Sequence, residues 1–179
     1  MNTFLQSALI AISASFLGLT CSTQVRSQVR WESTEPTALE LQSLFKLPVG
    51  PKGMEVTDKV MQASGHRVRI TGFMVKSELP TPGAFMLAPR PVQMSEHADG
   101  EADDLPAALV TVYLDASQSD WAVPHTRGLI SLTGTIEVGR LEETDGRVSW
   151  IRMRVAPEAT RGMNPNELAE FFHSLQHKH

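Results

Sequence analysis

The chain has 179 residues, 41% of them hydrophobic, which leaves room for one domain of ordinary size once an N-terminal segment is lost. It carries 20 acids and 16 bases, and five of the acids fall in "SEHADGEADDLP" (Ser95–Pro106), leaving 15 acids against 16 bases elsewhere. A near-neutral body with one acidic stretch lacks the broad positive field of a nucleic-acid binder, and a single cysteine, Cys21, excludes an intramolecular disulfide or a Cys-based zinc site.

The first element is apolar. "FLQSALIAISASFLGLTC", Phe4 to Cys21, is interrupted only by Gln6 and small hydroxyl residues, and its length suits a signal-peptide core better than a membrane span. The mature chain then begins near Ser22–Gln24. Lipidation of Cys21 is the alternative, although "GLT" is a poor approach to a lipidated cysteine. No Lys or Arg precedes the run, and Arg26 and Arg30 follow it, the reverse of the usual charge order. Residues 1–22 therefore read as a signal peptide or N-terminal anchor. The protein reads as periplasmic or otherwise exported, with membrane association through this segment as the variant. A thiol at the end of such a run is a poor catalytic candidate.

Residues 23–54 read as an extension with a short helix and a linker. In "PTALELQSLFKLP", Leu41, Leu44 and Phe45 fall at i, i+3 and i+4, a one-sided helix stopped by Pro48. "PVGPKG" is a turn or linker. The domain proper spans 55–179 and opens with the helical "TDKVMQASG", with Thr57 or Asp58 as N-cap and Gly65 as stop.

From His66 the period changes to two. "HRVRITGFMV" alternates Val68, Ile70, Gly72 and Met74 against Arg67, Arg69 and Thr71, with Gly72 marking a bend or bulge. "GAFMLAP" is a second strand, reached through the proline-rich turn "ELPTPG". After the acidic stretch, "ALVTVYLD" is a third, and "GLISLTGTIEVGRL" is a long fourth with Gly134 central. "ETDG" makes a hairpin turn, and "RVSWIRMRV" is the fifth. Five such strands, two with central glycines, predict a mainly β fold: a five-stranded OB-like antiparallel barrel with short N-terminal helices, a sandwich being the alternative. The chain closes on an amphipathic helix over 164–177. Asn164 is its N-cap, Pro165 stands at N1 and Glu167 at N3, and Leu168, Phe171, Phe172 and Leu175 form one apolar face that flanks the barrel.

Two stretches carry a resemblance: Arg69-Ile70-Thr71-Gly72-Phe73-Met74-Val75 and Phe85-Met86-Leu87. They resemble the Arg-x-x-Gly-Phe-x-Val and Phe-x-Leu strands of an uncharacterised family of exported bacterial proteins, a domain of unknown function often encoded beside ABC-type transporter components. The resemblance covers roughly residues 55 to 155. It implies a small β-barrel domain outside the cytoplasm. Many members follow the second strand with a proline-rich loop containing Cys and His. Here that position holds "RPVQMSEHADGEADDLP", with carboxylates, no cysteine, and His97 as the one soft ligand.

Three residue groups could do chemistry. Glu96, His97, Asp99, Asp103 and Asp104 offer imidazole and carboxylate donors, a set that suits zinc or another divalent metal, although the spacing is not that of an EF-hand. The plainer reading of that stretch is a solvated loop at the barrel mouth. His173 and His177, at i and i+4 with Glu170 nearby, could also hold zinc, but the His-Glu-x-x-His pattern is absent and such residues are ordinary partners of a helix C-terminus. Arg67 and Arg69 share one strand face, and Trp150, Arg152 and Arg154 another; this interleaving fits an acidic peptide or protein partner, nucleic acid being disfavoured by charge and export. No nucleophile elbow or phosphate loop is present. The sequence reading is a non-catalytic envelope binding or accessory protein, of the kind that serves a transporter, with an envelope protein as partner. A periplasmic metal-binding protein is the alternative.

Overall fold

The computed structural model describes residues 35–94, 105–144 and 146–176, together with the backbone of 96–97 and 100–101. Cys21, Asp99, Asp103, Asp104 and His177 lie outside the described residues, as does the N-terminal apolar run.

The segment read as a helix before Pro48 is instead a strand, β1 (Thr37–Glu40), followed by a single 3-10 turn (Leu41–Ser43). The periodic residues are buried as anticipated, since Leu41, Leu44 and Phe45 all join the core. A helix this short has little stability of its own, whereas a neighbouring strand edge satisfies the backbone directly: β1 runs parallel to β2 (Arg67–Met74), with Thr37 opposite Val68 and Glu40 opposite Thr71. The helix α1 (Asp58–Ala63) forms where expected and stops at Gly65, whose φ of 80° is open to glycine. Thr57 does not cap it through its side chain; its hydroxyl donates to the Ser43 carbonyl at 3.0 Å, tying α1 to the 3-10 turn.

All five anticipated strands are present. After β2 come β4 (Ala84–Ala88), β8 (Val110–Tyr113), β9 (Leu129–Glu142) and β10 (Val148–Val155). They alternate as amphipathic strands do; in β8, Val110 and Val112 are buried while Thr111 and Tyr113 are half-buried on the other face. Two-residue strands make two smaller ladders: β3 (Lys76–Ser77) with β5 (Gln93–Met94), and β6 (Glu96–His97) with β7 (Gly100–Glu101). The main sheet has six strands in the order β1-β2-β4-β8-β10-β9, and β2 also pairs with β9. It is mixed rather than antiparallel, because β1–β2 and β8–β10 are parallel.

Both central glycines sit where chains come too close for a side chain. Gly72 lies where one edge of β2 passes from β1 to β4, and a Cβ there would meet Leu41 Cδ1 at 2.3 Å. At Gly134 a Cβ would meet the Arg154 carbonyl oxygen at 2.2 Å. The C-terminal helix α3 (Pro165–Ser174) carries the anticipated capping box: Asn164 accepts from the Glu167 amide, and Glu167 accepts from the Asn164 amide at 2.8 Å. Its Leu168 and Phe172 are buried in the main core, where Phe172 meets Phe85 edge-on at 5.2 Å. A short helix that the sequence did not announce, α2 (Pro157–Thr160), precedes it; buried Gln118 donates to its Thr160 carbonyl at 2.7 Å.

Gly134→Ala is expected to destabilise the protein by about 1–3 kcal/mol, the usual cost of overpacking. Gly50→Ala, with nothing within 4 Å of the added methyl, serves as control. Chemical denaturation measures both. A neutral Gly134→Ala would mean that β9 and β10 can part at this point.

Candidate functional site

The outer faces of β4 and β8 form the floor of a cleft of about 580 Å³. Ala84 and Met86 come from β4, Thr111 and Tyr113 from β8; these are the alternate residues left over once Val110, Val112 and Leu87 have turned into the core. Two connections wall it: the segment after β2, with Pro80, Thr81 and Pro82, and the β9–β10 turn, with Glu143 and Arg147. Three apolar side chains stand exposed around it, Met54, Val148 and Trp150, each more than two-fifths accessible. Ligand sites are commonly concavities of this size with apolar surface gathered on them, which makes this cleft the candidate.

Tyr113 is the polar centre. Its hydroxyl donates to Glu143 Oε2, while Arg154 lies over its ring, with the guanidinium carbon 5.7 Å from the centroid. Burial first, and then the bond to Glu143 and that carboxylate's charge, push the phenol above its ordinary value, against a smaller opposing pull from Arg152 and Arg154. Glu143 reaches Tyr113 because the hairpin folds back tightly: the Glu143 amide donates to the Arg147 carbonyl at 2.7 Å, and Gly146 takes a positive φ. The other carboxylate oxygen of Glu143, Oε1, is buried and has no hydrogen-bond partner among the described residues.

A second cleft of about 350 Å³ adjoins the first, sharing Met74 and His125. Lys76 and Arg127 stand at it, and no Asp or Glu lines it. His125 Nε2 lies 3.3 Å from the Met74 carbonyl.

The arginines singled out from sequence are distributed differently from a single basic groove. β2 and β10 are not neighbours, because β9 lies between them and pairs with both. That arrangement sets Arg67, Thr135, Arg154 and Tyr113 in one row across four strands. Within the row Arg67 is paired with Glu158, and Arg154 covers Tyr113. Arg69 is exposed opposite Thr133. Arg152 is buried: its Nη1 donates to the Gly139 carbonyl at 2.7 Å, and its Nε lies 3.8 Å from Glu137. The register of β10 against β9 shifts between Ser149 and Ile151, one position before Arg152. Trp150 lines the large cleft.

Glu96 and His97 lie on β6, where Glu96 stands opposite Glu101 and His97 opposite Gly100. His173 is exposed in the last turn of α3. Among the described residues no three His, Cys, Asp or Glu side chains gather as a metal site would require. Sequence reasoning missed the Tyr113–Glu143 pair, although one sign was available: Tyr113 is the chain's one tyrosine, placed on the outward side of an alternating strand.

No protein-family model and no curated protein matches the sequence. Among solved structures, the chain is similar to the crystal structure of a DUF3299 family protein from Pseudomonas aeruginosa, at a TM-score of 0.41 and 13% identity, covering 68% of this chain and 93% of that one. That neighbour belongs to a domain-of-unknown-function family.

Tyr113→Phe is expected to cost about 1–2 kcal/mol, because it leaves a second oxygen of Glu143 without a donor. The unfolded chain ionises this phenol near 10.0 and the folded protein does so at higher pH, so its contribution to stability is complete below 10.0 and is lost as pH rises through the folded value. Phenolate absorbance reads this single group directly. Glu143→Gln should bring its titration back toward the ordinary value, and an unchanged curve would show that the bond is not made.

Proposed function

We propose that the protein is a non-catalytic binding module, exported to the cell envelope, whose domain is a five-stranded OB-like barrel. The barrel reading is supported by the ring of pairings β2–β4–β8–β10–β9–β2 and by the parallel β8–β10 contact within it. In OB domains the second and third strands, with the loops between strands one and two and between four and five, make the binding surface. On this reading those parts are β4, β8, the segment after β2, and the β9–β10 turn. They are the parts that surround the 580 Å³ cleft, and this coincidence carries the proposal. The polar groups there are a phenol–carboxylate pair and several hydroxyls, a set that orients a ligand on an apolar floor. Export rests on the apolar Phe4–Cys21 run. No helix among the described residues is long and apolar enough to cross a membrane. An accessory role beside a transporter follows from the family resemblance.

The test is occupancy of the cleft. The amphiphilic, anionic dye bis-ANS is expected to bind the native protein at one site through its aromatic rings, with Met86→Glu on the cleft floor weakening it at least roughly tenfold, about 1.4 kcal/mol. Gln62→Glu, exposed on α1, should leave it unchanged. Dye binding that ignores Met86→Glu would place the apolar site elsewhere and defeat the proposal. Expressed with its own N-terminus, the chain is expected in the periplasmic fraction, and cytoplasmic recovery would remove the envelope assignment.

A further inference from the structure

The two adjoining clefts differ in chemistry, and the difference identifies a ligand class. The larger is apolar with an exposed tryptophan and methionine at its margin. Lys76, His125 and Arg127 line the smaller, and neither Lys76 nor Arg127 has a side-chain partner among the described residues. No carboxylate lines this cleft, so its positive field is complementary to an anionic group on a ligand. Met74 and His125 belong to both clefts, so one ligand can occupy them together.

We propose that the clefts jointly bind one extended peptide, with apolar side chains in the larger and a carboxylate against Lys76 and Arg127 in the smaller. This rests on the binding-module reading above and names the ligand of the same site. A peptide fits better than an acyl chain because of the ladder that borders both clefts. Ser77 of β3 lines the larger, while Lys76 of β3 and Gln93 of β5 line the smaller. The β3–β5 sheet has two strands only, so each keeps an edge without a strand partner among the described residues. Such edges offer main-chain hydrogen bonds to an extended chain, which an acyl chain cannot use. Methionine at the apolar walls, Met54, Met74 and Met86, adapts to varied side chains.

The probe is a randomised linear peptide library selected on the full mature chain. Enriched peptides are expected to place two or three apolar residues beside an acidic residue or a free C-terminal carboxylate. The best of them should bind about 5- to 10-fold more weakly once that carboxylate is converted to an amide. In the Lys76→Gln/Arg127→Gln protein, whose substitutions are at exposed positions, acid and amide forms should bind alike. Equal binding of both forms to the wild-type chain would overturn the assignment of the smaller cleft. Binding of decanoate with no peptide enrichment would overturn the peptide in favour of an acyl anion. Absence of any enrichment while bis-ANS still responds to Met86→Glu would likewise overturn this inference and leave the binding-module reading standing; loss of that dye response would instead remove the module reading itself.

Discussion

The longest strand, β9, pairs with β2 along one edge and β10 along the other, and the arrangement of the domain follows from how closely these neighbours approach. Gly134 stands opposite Val68 of β2 and opposite Val155 of β10, at the point where a side chain would collide with the Arg154 backbone. Without a Cβ, β9 can hold both partners in register there. Its inward residues Ile130, Leu132 and Ile136 then bury fully beside Val68, Ile70 and Met153. Each fully buried aliphatic side chain of this size contributes roughly 1.5–3 kcal/mol, so a packing fault at Gly134 would be felt across the core.

The same strand organises the outer surface. Because β9 lies between β2 and β10, the arginines of those strands do not face each other across one groove. Three of them are then engaged locally, Arg67 holding α2 through Glu158, Arg152 satisfying the Gly139 carbonyl, and Arg154 covering Tyr113. Surface ion pairs of the Arg67 kind contribute little to stability. Lys76 and Arg127, at the second cleft, stand apart from these contacts.

The length of β9 also positions the cleft. Its 14 residues run on toward the β9–β10 turn, so that Glu143, one residue past its end, returns over the sheet to the phenol of Tyr113. That bond ties the turn to the floor of the cleft and holds its wall in place. A phenol kept neutral well above its ordinary range remains a donor throughout the physiological range, so this restraint does not vary with ordinary changes of pH.

Much of this was legible in residue order. Alternation at Val68/Ile70, Val110/Val112 and Ile130/Leu132 located the strands and their buried faces, because a strand with one side in a core must place apolar residues at every second position. Asn164, Pro165 and Glu167 announced the start of α3, because capping is settled within four residues. The tertiary structure alone decided which strands meet. A parallel β8–β10 contact and a β9 shared by two partners are choices among pairings of similar local cost, and only burial of the whole core selects one. That selection turned Thr37–Glu40 from a helix into an edge strand, buried Arg152, and brought Tyr113 to Glu143 across 30 residues, none of which local spacing can report.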